Sequence, residues 1–553
     1  MTETRDPREL LPARWREDEP DASTATLVER LRTDLAAADY TVEGVEALWN
    51  RLAGEAGSHP GAALRRGHRV PALRALDAAA GEDSALATLV RAFLLGVPQT
   101  RAALDAALPA LRAGGAEELG LVASDPASMS VALAPIVDLR PYAFADAAGE
   151  GHWWIASDPG ELAMGGPLPE DHVLGVGGAS TTLSGLLLQR PSRRTLDLGT
   201  GSGIQALHAS RWSERVVATD VSARALAFAR FTARLNGIDT IEFRLGSLYE
   251  PVAGERFDRI VSNPPFVITP RADGVPSYEY RDGGQVGDAL VEAVLRGAAE
   301  HLEPGGIAQF LGNWELRDVP AGGPGVDAGD QTGLERVAGW LDDAGLEYWV
   351  VERETLDPSE YAETWIRDGG TRPGTPAFEA LHAAWLDDFR ARGVAGVGFG
   401  YVLLRKPADG GGAPRLRIAE RVHGAAGENP GGLGAHFEAV LEASDLVDAL
   451  SDDDLRALEL ETAPDVTEER HHLPGAEQPT AILIRQGGGF GRAIDAGTAL
   501  TALVGASDGT IAVGVLSDAI ADLLEVDAAA LWAELAPQIR GLVHGGLLRP
   551  MSG

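Results

Sequence analysis

Two short stretches of this 553-residue chain hold residue types whose order could do chemistry. Residues 196–204 read Leu-Asp-Leu-Gly-Thr-Gly-Ser-Gly-Ile, and residues 258–266 read Asp-Arg-Ile-Val-Ser-Asn-Pro-Pro-Phe. The first is an apolar strand running into a glycine turn. Glycine at 199, 201 and 203 permits positive φ and leaves no Cβ to collide with a ligand, as a nucleotide-like cofactor requires. Asp197 leads the turn; its carboxylate repels a pyrophosphate and suits a positively charged group. Asp220 follows at the tip of the next expected strand, about 20 residues past the turn, where a carboxylate can accept both hydroxyls of a ribose. The second stretch is a device for aiming a nitrogen. The lone pair of a conjugated amino or amide nitrogen is delocalised, so it is a poor nucleophile. Asn263 can accept one of its N–H groups through the side-chain oxygen, and the Pro264 carbonyl can accept the other. That turns the lone pair toward an electrophile. Pro264 and Pro265 fix φ, and Phe266 offers a flat face for a planar group.

These residues need a scaffold that brings strand ends together, and the pattern between 151 and 406 supplies one. Strands are expected at Thr195–Leu198, Arg215–Asp220, Ile241–Leu245, Arg259–Ser262, Ile307–Leu311, Glu347–Glu352 and Gly398–Arg405. Helices are expected at Ile204–Ala209, Ala223–Leu235, Gly287–His301 and Leu334–Ala344. Such alternation with short links implies a mostly parallel sheet covered on both faces. Before it, residues 1–22 read as a loose polar arm. Leu27, Leu31 and Leu35 mark the first of several helices, and Ser130–Val137 and His152–Ile155 read as strands, giving a mainly helical N-terminal domain over 1–150. After it, the Pro/Gly-rich residues 407–414 read as a linker to a C-terminal domain over 407–553. There, helices at Val515–Leu524 and Leu531–Val543 followed by Leu547-Leu548 suggest a winged-helix arrangement.

Composition narrows the function classes. The absence of cysteine excludes disulfides, thiolate zinc sites and cysteine nucleophiles. No metal is expected: His471-His472, beside Glu468 and Glu469, reads as a solvated loop, and Asp452–Asp454 as a helix N-terminal cap. The charged N-terminus has no apolar signal core, and the apolar stretch Ala85–Val97 is interrupted by Arg91, so a cytoplasmic protein without a membrane partner is expected. The net charge of −35 opposes a phosphate backbone at long range. Two basic clusters, Arg65-Arg66-His68-Arg69 and Arg190-Arg193-Arg194, read either as solvated loops or as phosphate footprints. Trp153-Trp154 reads either as core or as a stacking surface.

Over residues 172–315 the chain resembles class I methyltransferases of the HemK-like and small-subunit rRNA guanine methyltransferase-like type. Leu196–Gly203 is similar to the first motif of that group, Asp220 to the second, Gly246-Ser-Leu-Tyr-Glu-Pro251 to the third, and Asn263–Phe266 to the fourth. Tyr278-Glu-Tyr-Arg-Asp-Gly-Gly284, Asp288 and Leu302–Gly306 are similar to the stretch after the fourth motif in release-factor glutamine methyltransferases. Ser247 stands where the group usually has aspartate, and Phe266 where the release-factor enzymes usually have tyrosine. The resemblance implies a Rossmann-like α/β sheet and S-adenosylmethionine as cofactor. It implies cofactor contacts from Asp197, Gly199, Thr200, Gly201, Gly203, Asp220, Val221, Ser247 and Leu248, and a catalytic set of Asn263, Pro264, Pro265 and Phe266. Gly175–Thr182 reads either as a segment closing over the cofactor or as a helix start. The expected activity is N-methylation of an exocyclic amino or amide nitrogen on a macromolecule, with an RNA base, most plausibly in rRNA, placed first. The alternatives are a protein glutamine, a small metabolite, and a cofactor-binding scaffold without turnover.

Overall fold

In the computed structural model the strand Ser192–Leu198 (β3) lies at the centre of a sheet, and the reason is its composition. Its Thr195, Leu196, Asp197 and Leu198 are all buried, so it must be flanked on both edges and covered on both faces. The structure describes residues 11–17, 21–53, 59–79, 84–124, 132–164, 168–272, 274–276, 278, 280–318, 330–331, 333–408, 416–422 and 424–551. Parts of the expected N-terminal arm (1–10 and 18–20) and of the expected linker (409–414) lie outside these. Where the sequence suggests boundaries near 150 and 406, the chain divides into two compact units, one of residues 1–184, 191–350 and 354–412, the other of 185–190, 351–353 and 413–553.

In the first unit the strands after β3 are Ser213–Asp220 (β4), Ile241–Leu245 (β5), Phe257–Ser262 (β6), Leu302–Asp318 (β7), Glu347–Leu356 (β8) and Val394–Arg405 (β9). Their order across the sheet is β5-β4-β3-β6-β7-β9-β8. Strands β3 to β7 run parallel to their neighbours, and β9 runs antiparallel to β7, with Ile307 opposite Arg405 and Phe310 opposite Val402. The chain winds outward from β3 through β4 to β5, then returns to the other side of β3 for β6. At such a reversal the carboxyl ends of two neighbouring strands open a crevice that nothing crosses, the usual ligand position in an open α/β sheet. The helices are Gly178–Leu186 (α3), Ile204–Ser210 (α4), Ala223–Leu235 (α5), Ala289–His301 (α6), Gly333–Ala344 (α7), Pro358–Asp368 (α8) and Pro376–Arg392 (α9). The last two intervene where the sequence reading leaves 353–397 unassigned. Each begins with a polar N-cap followed by proline: Asp357 accepts the Ser359 and Glu360 N–H groups, and Thr375 accepts that of Phe378.

The residues before 178 do not stand apart from this sheet. Helix α5 is apolar on more than one face, burying Leu226, Phe228, Phe231 and Leu235. One face is covered by the N-terminal segment: Trp15 stacks on Phe231 at 4.1 Å and meets Phe228 edge-on at 5.5 Å. The helix Ala22–Ala37 (α1) sends Arg32 to the C-terminal end of α5, donating to the carbonyls of Leu235 and Arg234 at 2.9 and 2.8 Å. The hairpin Asp138–Asp146 (β1) and Gly149–Ser157 (β2) is stitched to the same helix. There the Trp154 N–H donates to Asn236 Oδ1 (2.9 Å) and the Ala156 N–H to Thr232 Oγ1 (3.2 Å). Trp153 and Trp154 are therefore core residues; the first packs on Phe144 at 4.0 Å, and the second donates from Nε1 to the Tyr40 carbonyl.

In the second unit, the helix Thr498–Ala506, strand Asp508–Ala512, helices Val513–Leu524 and Ala528–His544 and strand Leu548–Pro550 follow one another along the chain. The third strand of that small sheet, Glu459–Thr462, comes from before the first helix and pairs with both others. Among the described residues no helix is long and apolar enough to cross a membrane.

Trp15→Ala tests the attachment of the N-terminal segment to α5. Removing so large a buried side chain is expected to cost about 3–5 kcal/mol, read as a lowered denaturant midpoint.

Candidate functional site

The glycine turn leaves β3 with three left-handed residues, Gly199 at φ 75°, Gly201 at 55° and Gly203 at 93°. They serve two purposes. A Cβ on Gly203 would lie 3.1 Å from Ala229 Cβ, so this residue lets α4 pack against α5. A Cβ on Gly199 or Gly201 would meet no atom within 4 Å and would fill open space. The turn is pinned to β4: the Gly199 and Thr200 N–H groups both donate to the Thr219 carbonyl at 2.9 Å. Asp220 completes the brace, accepting the Gly201 N–H on Oδ2 (2.9 Å) and the Ser222 N–H on Oδ1 (2.8 Å).

The crevice holds a cavity of about 640 Å³, within the range of small-molecule sites. Of the residues singled out from sequence, Gly199, Thr200, Gly201, Asp220, Val221, Ser247, Leu248, Asn263, Pro264, Pro265 and Phe266 line it. Asp197 and Gly203 do not. Asp197 stands beneath the turn, fully buried, where its Oδ2 accepts from Thr200 Oγ1 at 2.6 Å and its Oδ1 has no partner. Any contact of Asp197 with a ligand is thus through its charge rather than through the cavity wall. Burial, with Asp220 adding to it, pushes its pKa up to about 7. Val221 is 65% exposed, an apolar surface at the lip of the cavity. Leu248 holds a left-handed backbone, φ 47°, which is costly for a residue with a Cβ. Gly175–Ser180 contributes several lining residues, and α3 is tied to α4 by Gln205 Nε2, which donates to the Ser180 carbonyl at 2.8 Å.

Strand β6 delivers Asn263–Phe266 beside the turn because Ser262 Oγ donates to the Leu198 carbonyl at 2.6 Å, joining the ends of β6 and β3. Asn263 Oδ1 is buried and has no hydrogen-bond partner. Phe266 is walled by Phe399 of β9 (5.5 Å) and Trp365 of α8 (6.3 Å, edge-on). A bridge pairs Phe266 with Asp282, and the Val267 N–H donates to the Arg281 carbonyl. The Tyr278–Gly284 segment, noted in the sequence, therefore brings Tyr280, Arg281 and Asp282 to the cavity. His172, Trp365 and Asp368 also line it and were not anticipated. Trp365 and Asp368 lie on a helix about 100 positions downstream of Asn263, and no local signal marks them.

The basic cluster at 193–194 is occupied structurally: Arg193 pairs with Asp258 at 3.0 Å and Arg194 with Glu255. The cap expected at Asp452–Asp454 is Ser451 instead: its Oγ accepts the Asp454 N–H, and the three aspartates form the first turn of the helix. No group of three or more potential metal ligands occurs among the described residues.

Residues 175–320 match the family described as "Methyltransferase small domain", and residues 37–133 one described as "Domain of unknown function (DUF7059)". A protein named release factor glutamine methyltransferase from Xylella fastidiosa (strain Temecula1) is 40% identical over 132 residues, 22% of this chain and 48% of that protein. Ribosomal protein uL3 glutamine methyltransferase from Bradyrhizobium diazoefficiens is 35% identical over 153 residues, 26% of this chain and 46% of that protein. Ribosomal RNA small subunit methyltransferase C from Serratia proteamaculans is 33% identical over 136 residues, 24% and 35% respectively. The chain spans less than half the length of these curated relatives.

The raised pKa of Asp197 has a signed consequence. The unfolded chain ionises this group near pH 4 and the folded chain near pH 7, so folded stability declines as pH rises between them and levels off above. Asp197→Asn removes that decline. Its stability relative to the parent is expected to grow by about 2–3 kcal/mol from pH 5 to pH 8, measured by urea unfolding at each pH.

Proposed function

Residues 175–320 are a class I methyltransferase domain of the HemK-like kind, and from this premise we propose that the cavity directs methyl transfer to a planar amide or amino nitrogen of a macromolecule. The cofactor is S-adenosylmethionine, which when bound supplies a methyl group on a positively charged sulfur. The residues fit it. Gly199 and Gly201 leave open the volume that a Cβ would fill, Asp220 presents a carboxylate to the cavity where a ribose would lie, and exposed Val221 offers an apolar face for a base. The buried charge of Asp197 and the carboxylate of Asp220 favour a cationic guest.

One observation carries the transfer reading: Asn263 Oδ1 is a buried acceptor without a partner, at the cavity wall. An orphaned acceptor costs roughly 1–3 kcal/mol, and a chain gains by retaining one where a ligand N–H satisfies it. Asn263 Oδ1 takes one N–H of the target nitrogen, the Pro264 carbonyl the other, and the flat group rests on Phe266. This holds the lone pair in one direction, the orientation term that an already activated methyl donor leaves to the protein.

For the target, the RNA base placed first on sequence grounds rests on Phe266 and on the winged-helix arrangement expected of the C-terminal domain. A protein side-chain amide has the stronger support. The cavity is lined by aspartates, the Arg193-Arg194 cluster is engaged with carboxylates, and two of the relatives described above are named for glutamine.

Labelled S-adenosylmethionine supplied with an extract of cells lacking this gene tests both levels. Label is expected in protease-sensitive material; nuclease-sensitive label favours the RNA base, and label only in small molecules sinks the macromolecular reading. Asn263→Ala is expected to lower transfer by about 10²-fold or more while cofactor affinity stays within about threefold. Undiminished transfer removes Asn263 from the role given to it.

A further inference from the structure

Among the described residues four carboxylates line the cavity, those of Asp171, Asp220, Asp282 and Asp368, against the one guanidinium of Arg281. Asp220 braces the glycine turn. Arg281 is paired with one of the other three, Asp368, and its buried Nε has no partner. Its Nη1 donates to Asp368 Oδ2 at 2.9 Å and to the Trp365 carbonyl at 2.8 Å, and its guanidinium lies over the Tyr278 ring at 4.4 Å. Asp171 and its neighbour Glu170 are exposed.

Asp282 differs from these. It is only 6% exposed, its Oδ2 accepts the Tyr278 N–H at 3.1 Å, and its Oδ1 is buried without a partner. The Phe266–Asp282 bridge holds it in register with the loop that carries Asn263. His172, 4% exposed, adds a second unpartnered polar atom, Nε2, on the same cavity wall. The aiming loop therefore sits beside unfilled hydrogen-bonding positions, with the carboxylates of Asp171 and Asp282 on the same wall.

We propose that Asp282 is a specificity-determining residue, and that with Glu170 and Asp171 it selects a polypeptide segment whose target amide is flanked by an arginine or lysine side chain. Asp282 Oδ1 accepts a charged N–H of that flanking group. This deepens the methyl-transfer reading and rests on it. A buried carboxylate gains most from a charged donor, because such hydrogen bonds are shorter and stronger than neutral ones. The same carboxylates act against a competing class of substrate: a phosphate-bearing strand entering this mouth meets like charge at Glu170, Asp171 and Asp282.

The test is labelled methyl transfer into an extract of cells lacking this gene, followed by peptide mapping of the labelled residue. The full chain is compared with Asp282→Asn and with the double variant Glu170→Gln/Asp171→Asn, whose positions are on the surface. The labelled side-chain amide is expected to have arginine or lysine within about three residues. At limiting extract, transfer is expected to fall about tenfold in Asp282→Asn and severalfold in the double variant. The half-saturating extract concentration rises, while the saturated rate and the affinity for S-adenosylmethionine stay within about twofold. A labelled site without a cationic neighbour, nuclease-sensitive label, or unchanged transfer in both variants overturns the assignment. So does an equal loss of cofactor affinity and transfer in Asp282→Asn. If the unaltered chain transfers no methyl to any fraction, the methyl-transfer reading itself falls, an outcome distinct from all of these.

Discussion

A single hydrogen bond marks the constraint on which this molecule depends: Ser262 Oγ to the Leu198 carbonyl, joining the carboxyl ends of β6 and β3. The two strands are neighbours in space but separated in sequence by the whole excursion through β4 and β5. The two central segments of the site leave from this junction. The glycine turn leaves from one end of it and the Asn263 loop from the other, and the β4 end supplies Asp220 to brace the turn. Because strands β3, β4 and β6 are buried on both faces, their ends move little, and loops anchored on them inherit that rigidity. A site whose main task is orientation needs this kind of mounting.

Charge is distributed with the same economy. Asp288, at the start of α6, and Glu315, on β7, are buried but engaged. Asp288 meets Arg336 at 2.8 Å and accepts the Glu315 N–H, and Glu315 is held by Arg317 and Arg392. Buried charges so paired serve to fix geometry more than to add stability. Asp197, Asp282 and Asn263, by contrast, each retain an oxygen with no partner.

Much of this was legible in the residues. The period and apolarity of Thr195–Leu198, Arg215–Asp220 and Arg259–Ser262 announce buried strands, and the glycines at 199 and 201 announce the turn, because these signals are local. Two features were not. Asp197 precedes the turn in sequence and invites assignment to the wall, yet strand alternation turns its side chain beneath the turn. Trp365 and Asp368 come from α8, whose start signal, Asp357-Pro358, is readable, but whose approach to Phe266 depends on how β8 and β9 are ordered. Long-range placement of that kind is set by the tertiary fold and leaves no mark in a short window. The expected strand Ile307–Leu311 likewise runs longer, since Leu302–Gly306 joins it through a register shift instead of forming a separate turn.

The covering of α5 has a bearing on heredity. Trp15, the β1–β2 hairpin and Arg32 bury or cap a helix of the cofactor-binding half, so that helix has no finished outer surface of its own. A gene segment encoding only the matched residues 175–320 specifies a protein with Phe228 and Phe231 bared to water, a surface that sticks to others like it. Recombination can exchange the cover for another of the same shape, but it cannot simply discard it. The N-terminal helices and α5 thus close one hydrophobic core between them, and neither is a finished surface without the other.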